Sequence, residues 1–320
     1  IDETITFFLI INLKDTADTI SDSTGIPEEI RQISNGKLAI GNETNFDSNF
    51  GDLDNDTMEL EINANSTVNA IEMKIKKLIL GDIETAIVRM ESGAKINATD
   101  TITLGEAVGT IAELFISDND SEITSSSDIT IGESGKGTLT MSNGRAQIDQ
   151  DFNVGELSEG EGIINISGGA ILKISRNFNI ADEGTATINH TGGTISVSGT
   201  MNVGANGSFN MDYGDLISEE INIDPDATFS FTGGTIQTPL IDTNDGTFVN
   251  SGGTLSAGEY EDTTSSIEIM GISTMGLGTF SITDIINEQI NIIGDYIQEY
   301  GDTYISNLSI QLNSSDESEN

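Results

Sequence analysis

The chain has 320 residues, with no Cys, no Trp, one His, three Pro and 35 Gly; 12 Lys+Arg against 53 Asp+Glu give a formal charge of −41. Disulfides and thiolate metal sites are excluded, and so negative a surface repels nucleic acid and anionic membranes, both of which select basic patches. No stretch reaches the ~18–20 apolar residues of a membrane-spanning helix, so neither a transmembrane segment nor a nucleic-acid partner is expected, and no cofactor is required.

The first element is ITFFLIINL at 5–13, an uncharged and β-prone strand. It follows Asp2 and Glu3, unlike the basic start of a signal peptide. The chain opens on Ile1 and reads as the mature or trimmed product of an exported precursor, extracellular or at the cell surface. IPEEIRQIS (26–34) predicts a short helix, with Thr24 as its cap. KLAIGNETNF (37–46) and MELEINANSTV (58–68) read as strands, separated by the acidic stretch NFGDLDNDT. Here Asp52, Asp54 and Asp56 alternate as in the opening of a calcium loop. Position six is Thr57 rather than Gly and position twelve is Asn63 rather than Glu. The match is partial; an acidic surface turn is the simpler reading, with calcium as the one metal candidate. SDNDSE at 117–122 is a second such knot.

From residue 78 the sequence repeats itself. ITLG (102–105), ITIG (129–132), FNVG (152–155) and MNVG (201–204) share an apolar–polar–apolar–Gly pattern. LILG (78–81), FNIA (178–181) and INID (221–224) are degenerate copies, and the steps between closing positions run from 20 to 27 residues. A second anchor follows each of the later copies: GTLTMS, GIINIS, GTATIN, GSFNMD, ATFSFT and GTFVNS. A third comprises SNGRAQI, SGGAILKI, TGGTISV, TGGTIQT and SGGTLSA. Self-similarity at this period signals stacked repeats. Within each unit apolar residues alternate, which means short strands with one buried face. Three strands per repeat, each ended by Gly, Asn or Asp, make one coil of a parallel β-solenoid, with Gly at corners that need positive φ.

The fold class is therefore all-β: a parallel β-solenoid (β-helix) of about eight or more coils, a rod about 40 Å long at the spacing of neighbouring strands. The expected interior column is Leu139, Met141, Ile164, Ile166, Ala186, Ile188, Phe209, Met211, Phe229, Phe231 and Phe248. Asn153, Asn179, Asn202 and Asn222 hold matching first-strand positions; alternation places them outside as an Asn ladder, with an inward ladder as the competing placement. The chain divides into an N-terminal strand and β-rich capping segment (1–77), the solenoid repeats (78–257), and a C-terminal β-rich segment with a polar tail (258–320). The terminal segments act as caps or assembly strands.

Chemistry is sparse. The lone histidine, His190, stands beside a Gly-Gly turn and reads as a solvated turn residue; any Ser-His-Asp system would have to be built around it. Asp128 and Asp151 precede matching first strands, with Arg145 and Arg176 near in sequence, the kind of acidic cluster a β-helical polysaccharide lyase or hydrolase would need. The following coils put Asn177, Thr200 and Glu220 at equivalent places, which points to variation instead. Ten N-x-S/T sequons occur, among them Asn42, Asn65, Asn97, Asn206 and Asn307, an excess over composition too small to establish glycosylation.

The unit at 129–148, repeated to 257, resembles the β-helical repeats of bacterial autotransporter passenger domains and related exported, surface-sorted microbial proteins. SGGTLSAGEY (251–260) and GDYIQEYGDTYISNLSIQL (294–312) are similar to the segments that end such arrays. The resemblance spans 129–312, roughly 60 % of the chain, and implies an exported β-solenoid. Neither a translocator barrel nor a sorting helix lies within these residues. The expected function is an extracellular structural protein, not an enzyme, that polymerises into a filament, sheath or surface layer through strand 5–13 and the C-terminal strands. The alternative is an adhesin or carbohydrate-binding rod displaying loops such as 43–58 and 113–127, with glycans or divalent cations as partners. A glycan-degrading enzyme ranks third.

Overall fold

A computed structural model describes residues 71–242 continuously, together with 246–250, 253–261 and separate strands on either side of these spans. Among the described residues there is no helix, and every strand pairing is parallel, most strands belonging to one continuous sheet that winds around the rod. The protein is a β-solenoid of about eight turns. The proposed helix at 26–34 lies outside the described residues.

One coil shows how the repeat folds. Ile129–Ile131 is the first strand, Lys136–Met141 the second and Arg145–Ile148 the third. Phe152–Val154 then lies on Ile129–Ile131 and begins the next coil. The first-strand register runs Leu80, Leu104, Ile131, Val154, Ile180, Val203, Ile223, so the apolar–polar–apolar anchors stack as their recurrence predicts. Each corner amide is satisfied by the coil below: Gly132 N donates to Leu104 O at 2.7 Å, Gly155 N to Ile131 O at 2.9 Å and Ala181 N to Val154 O at 2.7 Å. A solenoid coil can meet its main-chain hydrogen-bonding requirement only through its neighbours, which is why the corners repeat.

The closing corner needs a left-handed residue. Gly105, Gly132 and Gly155 have φ of +68°, +74° and +66°. The degenerate copy FNIA keeps that geometry with Ala181 at φ +57°, where a side chain costs roughly 1–2 kcal/mol. The Gly-Gly corner varies more. In Thr185–Val197 the second and third strands run together through TGGT, with register shifts around Thr191.

All eleven residues of the expected interior column are buried, each 4 % exposed or less. Phenylalanines meet coil on coil: Phe152 stacks on Phe178 at 5.2 Å and Phe209 on Phe229 at 4.7 Å, while Phe248 lies tilted against Phe229 at 5.3 Å between ring centroids. These separations match strand spacing, so identical residues in adjacent coils meet as offset stacks.

Parallel pairing continues past residues 78 and 257. Towards the N-terminus, Lys37–Ile40 pairs with Leu53–Ile62, and Leu9–Ile11 pairs with Leu38–Ile40. The core of ITFFLIINL thus has a partner in its own chain. The reason is that Leu38 and Ile40 supply the apolar alternation that the repeat motif does not advertise. Towards the C-terminus, Thr254–Glu261 pairs with Phe280–Ile286, and Phe280–Ile282 with Thr303–Ile305.

Candidate functional site

The acidic candidates separate once they are placed in the fold. Asp54 and Asp56 lie on the strand Leu53–Ile62, with Asp54 opposite Lys74; Asp52 lies outside the described residues. The stretch expected as a turn is extended from Leu53 onward, because Leu53 and the apolar residues after it continue the parallel stack. Among the described residues no group of three or more His, Asp or Glu is close enough to hold a metal ion.

SDNDSE is a corner held by a single carboxylate. Asp118 Oδ1 accepts from the amides of Gly93 (3.1 Å), Asp120 (3.1 Å) and Ser121 (3.0 Å), and Oδ2 accepts from the Ser121 hydroxyl at 2.6 Å. Burial pushes the Asp118 carboxyl up, but the hydrogen bonds from Ser121, Asp120 and Gly93 together outweigh it and hold the group below its ordinary value. Its contribution is therefore present above the ordinary carboxylate range and lost as the pH falls through the lowered value. Asp118→Ala should destabilise the protein by about 1–2 kcal/mol, since three amides lose their acceptor. Asp118→Asn, which keeps a carbonyl oxygen there, should cost less than half of that in thermal melts. Equal losses would mean that charge, not amide satisfaction, carries the corner.

The carboxylates considered for acid–base catalysis form a column instead of a facing pair. Asp128 Oδ1 accepts from Asp151 N at 2.9 Å, Asp151 Oδ1 from Asn177 N at 2.9 Å, and Asn177 Oδ1 from Thr200 N at 3.2 Å. Asp128, Asp151 and Asn177 thus each receive the amide of the coil above, a role that Asp and Asn fill alike, whereas Thr200 donates its hydroxyl to Glu220 at 3.2 Å. Arg176 lies 3.7 Å from Asp151 and donates to Gln150 at 2.8 Å.

His190 corrects its sequence reading outright. It is fully buried, and in register it sits between Ile166 below and Met211 above. Residues 186, 188 and 190 alternate inward with Met141 and Ile166 in the coils before them, so the histidine occupies a core position. The alternation extends one residue further than the Gly-Gly turn suggests. Nε2 lies 3.3 Å from the Gly193 carbonyl, Nδ1 is buried without a partner, and the ring meets Phe209 edge-on at 6.4 Å. Burial holds its pKa below the ordinary value, against smaller opposing effects of the Gly193 carbonyl, Asp215 and Gly192.

Two ladders of side-chain amides run along the surface of the rod. The first-strand ladder faces outward, half-buried: Asn179 donates to Asn153 at 2.8 Å, Asn202 to Asn179 at 2.9 Å and Asn222 to Asn202 at 3.2 Å. A second, on the second strands, joins Asn189 to Asn165 at 2.9 Å and Asn210 to Asn189 at 3.3 Å. Its signal was present in the outward Asn of GIINIS, GTATIN and GSFNMD, but without alignment of the strands there was no way to see them stack. Beside the first ladder, Glu133 is raised by burial and by the charges of Glu106 and Glu156, with Lys77 opposing. Lys77 lies 3.7 Å from Glu106, and Thr130 donates to Glu156 at 3.0 Å.

No family model matches the chain, and no curated protein or solved structure matches it.

Proposed function

We propose that this is an extracellular structural protein whose solenoid subunits add end to end into a filament, sheath or surface layer. The observation that supports the reading is the terminal strand Leu9–Ile11. It continues the parallel stack in register with Leu38–Ile40 and, among the described strands, is paired on that side alone. A parallel strand with one unpaired edge offers a row of main-chain donors and acceptors to another chain. Because the stack is parallel throughout, the opposite end of a second subunit presents the complementary edge. Such a head-to-tail contact need not close, and it then propagates. The charge of −41 keeps a polymer dispersed, while salt or divalent cations screen subunits enough to approach.

The contact envisaged uses the free edge of a strand already paired in its own chain. Negative-stain electron microscopy of the full chain, with and without millimolar calcium, should show filaments or tubes. A chain lacking residues 1–14 should remain folded and unassembled. Isolated short rods under all conditions would overturn the assembly reading in favour of the adhesin. Equal polymerisation of both chains would remove the N-terminal strand from the contact.

A further inference from the structure

One broad face of the rod carries no charge. On the second strands the register stacks two outward columns, one running from Thr138 through Thr187 to Thr247, the other from Thr140 through Asn189 to Val249. Across these six coils neither column holds an ionisable residue. Before them the same columns hold Glu113 and Arg89. Lys136 and Glu161, at one edge of the strip, pair with each other, and Asp212, at the other, accepts from Thr232 at 2.6 Å. The rest of these coils is charged: Glu133, Glu156 and Asp182 follow the first strands, and Arg145, Lys173 and Asp215 lie on the third. The first strands present a single outward column, and corner carboxylates reach over it, as Glu156 does to Thr130 at 3.0 Å.

The strip is chemically self-complementary. Asn189 donates one N–H to Asn165 and accepts one from Asn210. A side-chain amide has two N–H groups and a carbonyl with two lone pairs, so the half-buried Asn189 keeps a donor and an acceptor for a partner. Neighbouring coils repeat such groups about every 4.8 Å, a period that another solenoid of the same coil spacing matches. An ionic ligand finds no counter-charge on the strip. An apolar partner finds only Ile163 and Val249. A sugar ring finds no aromatic platform within the two columns, since Phe115 lies one coil before them with Arg89 over its ring at 5.1 Å.

We propose that this strip is a contact between two copies of the chain, laid face to face with their rods parallel. A two-fold axis along the rod sets the hydroxyl-rich column of each copy against the amide column of the other. Facing sheets stand about 10 Å apart and interdigitate. Charge decides the place: two chains of −41 approach at least cost where neither presents a carboxylate. The strip is about 24 Å long and 13–20 Å wide, roughly 300–500 Å² per copy against about 800 Å² per partner in a stable complex. Single subunits therefore pair weakly, and pairing becomes stable where end-to-end assembly repeats the strip. To that extent the inference rests on the polymer proposed above, and it specifies how filaments join side by side into a sheath or layer.

The chain has no cysteine, so single-cysteine variants report the contact whether or not filaments form. With a bismaleimide about 10 Å long, in about 0.5 M NaCl to screen repulsion, Thr187→Cys should give at least about fivefold more covalent dimer than Asn206→Cys at an exposed corner. In negative stain, Thr187→Glu should leave filaments single. Ser196→Glu, which adds the same charge on the neighbouring face of the same coil, should leave them joined. Both residues are half-buried at outward positions, so both variants should melt within about 2 °C of wild type. Single wild-type filaments without cysteine dimers would overturn the pairing and leave the end-to-end contact standing. Thr187→Cys dimers without filaments would support the pairing and overturn the end-to-end contact. Equal loss of pairing in both glutamate variants would reduce it to net charge and overturn the strip. Saturable binding of cellohexaose, lost in Thr187→Glu and unaccompanied by cysteine dimers, would overturn it in favour of a ligand surface.

Discussion

Gly132→Ala should destabilise the protein by about 2–4 kcal/mol, whereas Gly109→Ala should cost about 1 kcal/mol or less. The two glycines share a left-handed backbone, with φ of +74° and +81°. Adding a side chain in that region costs roughly 1–2 kcal/mol, partly offset by about 0.4–1 kcal/mol from the stiffer unfolded chain. There the similarity ends. A Cβ on Gly109 would meet nothing within 4 Å, while one on Gly132 would overlap the carbonyl oxygen of Glu161 and stand 2.5 Å from its carbonyl carbon. Glu161 begins the second strand of the next coil and is paired in register with Lys136. It cannot retreat without opening Lys136–Met141 from Glu161–Ile166, and overpacking of this kind adds about 1–3 kcal/mol. Thermal melts of the two variants measure the difference. Amide hydrogen exchange should show lost protection in those two strands for Gly132→Ala alone. Equal destabilisation would mean that backbone conformation, and not close approach of coils, explains the glycine at this corner.

His190→Met should stabilise the protein, and by more as the medium is acidified. The buried imidazole carries an Nδ1 with no partner, a deficit worth about 1–3 kcal/mol. Its 3.3 Å contact to the Gly193 carbonyl requires the Nε2–H tautomer. Methionine already fills the same column at Met141 and Met211, so the replacement matches its surroundings in shape and polarity. The pKa of His190 is lowered in the fold, from an ordinary value near 6.5, first by burial. Between the lowered and the ordinary value the unfolded chain binds the proton and the folded chain does not. Stability from this residue is thus complete above about pH 6.5 and declines as the pH falls below it. The groups that favour the proton are the Gly193 carbonyl, the charge of Asp215 and Gly192, and together they do not overcome burial.

Glu133 runs the other way. Its pKa is raised by burial, Glu106 and Glu156, so its contribution is present at low pH and lost as the pH rises through the raised value. Only the difference between variant and wild type isolates the histidine. The gain in Tm of His190→Met over wild type should be larger at pH 5 than at pH 7.5. A gain independent of pH would show that the ring's protonation has no part in it.

The solenoid was legible because its signal is periodic. Stacked coils present the same environment to Leu104, Ile131, Val154 and Ile180, and each corner to Gly105, Gly132 and Gly155, so sequence recurrence maps directly onto spatial register. Alternation alone assigned the interior face, and with it the outward Asn ladder. Local pattern failed where neighbours in space decide. The Gly-Gly turn made His190 look solvated, although the two-residue period from Ile188 carries it into the core. The acid-rich LDNDT looked like a turn, although pairing with residues 73–75 extends it. Variation at the corner of Asp128 and Asp151 was legible, but the backbone amide that each receives from the next coil was not.

Chain order and composition by themselves determined the coil, its three short strands, its apolar column and its excess of negative charge, all properties that each repeat carries within its own 20 to 27 residues. Only the tertiary structure decided what depends on the offset between repeats. It set Leu9–Ile11 on Leu38–Ile40, Asp118 on the Gly93 amide one coil away, and Asp242 opposite Asn222, where an amide ladder ends. Coil lengths vary, so that offset is fixed by the summed hydrogen bonding and packing of adjacent coils, an interaction between distant segments that no single repeat encodes.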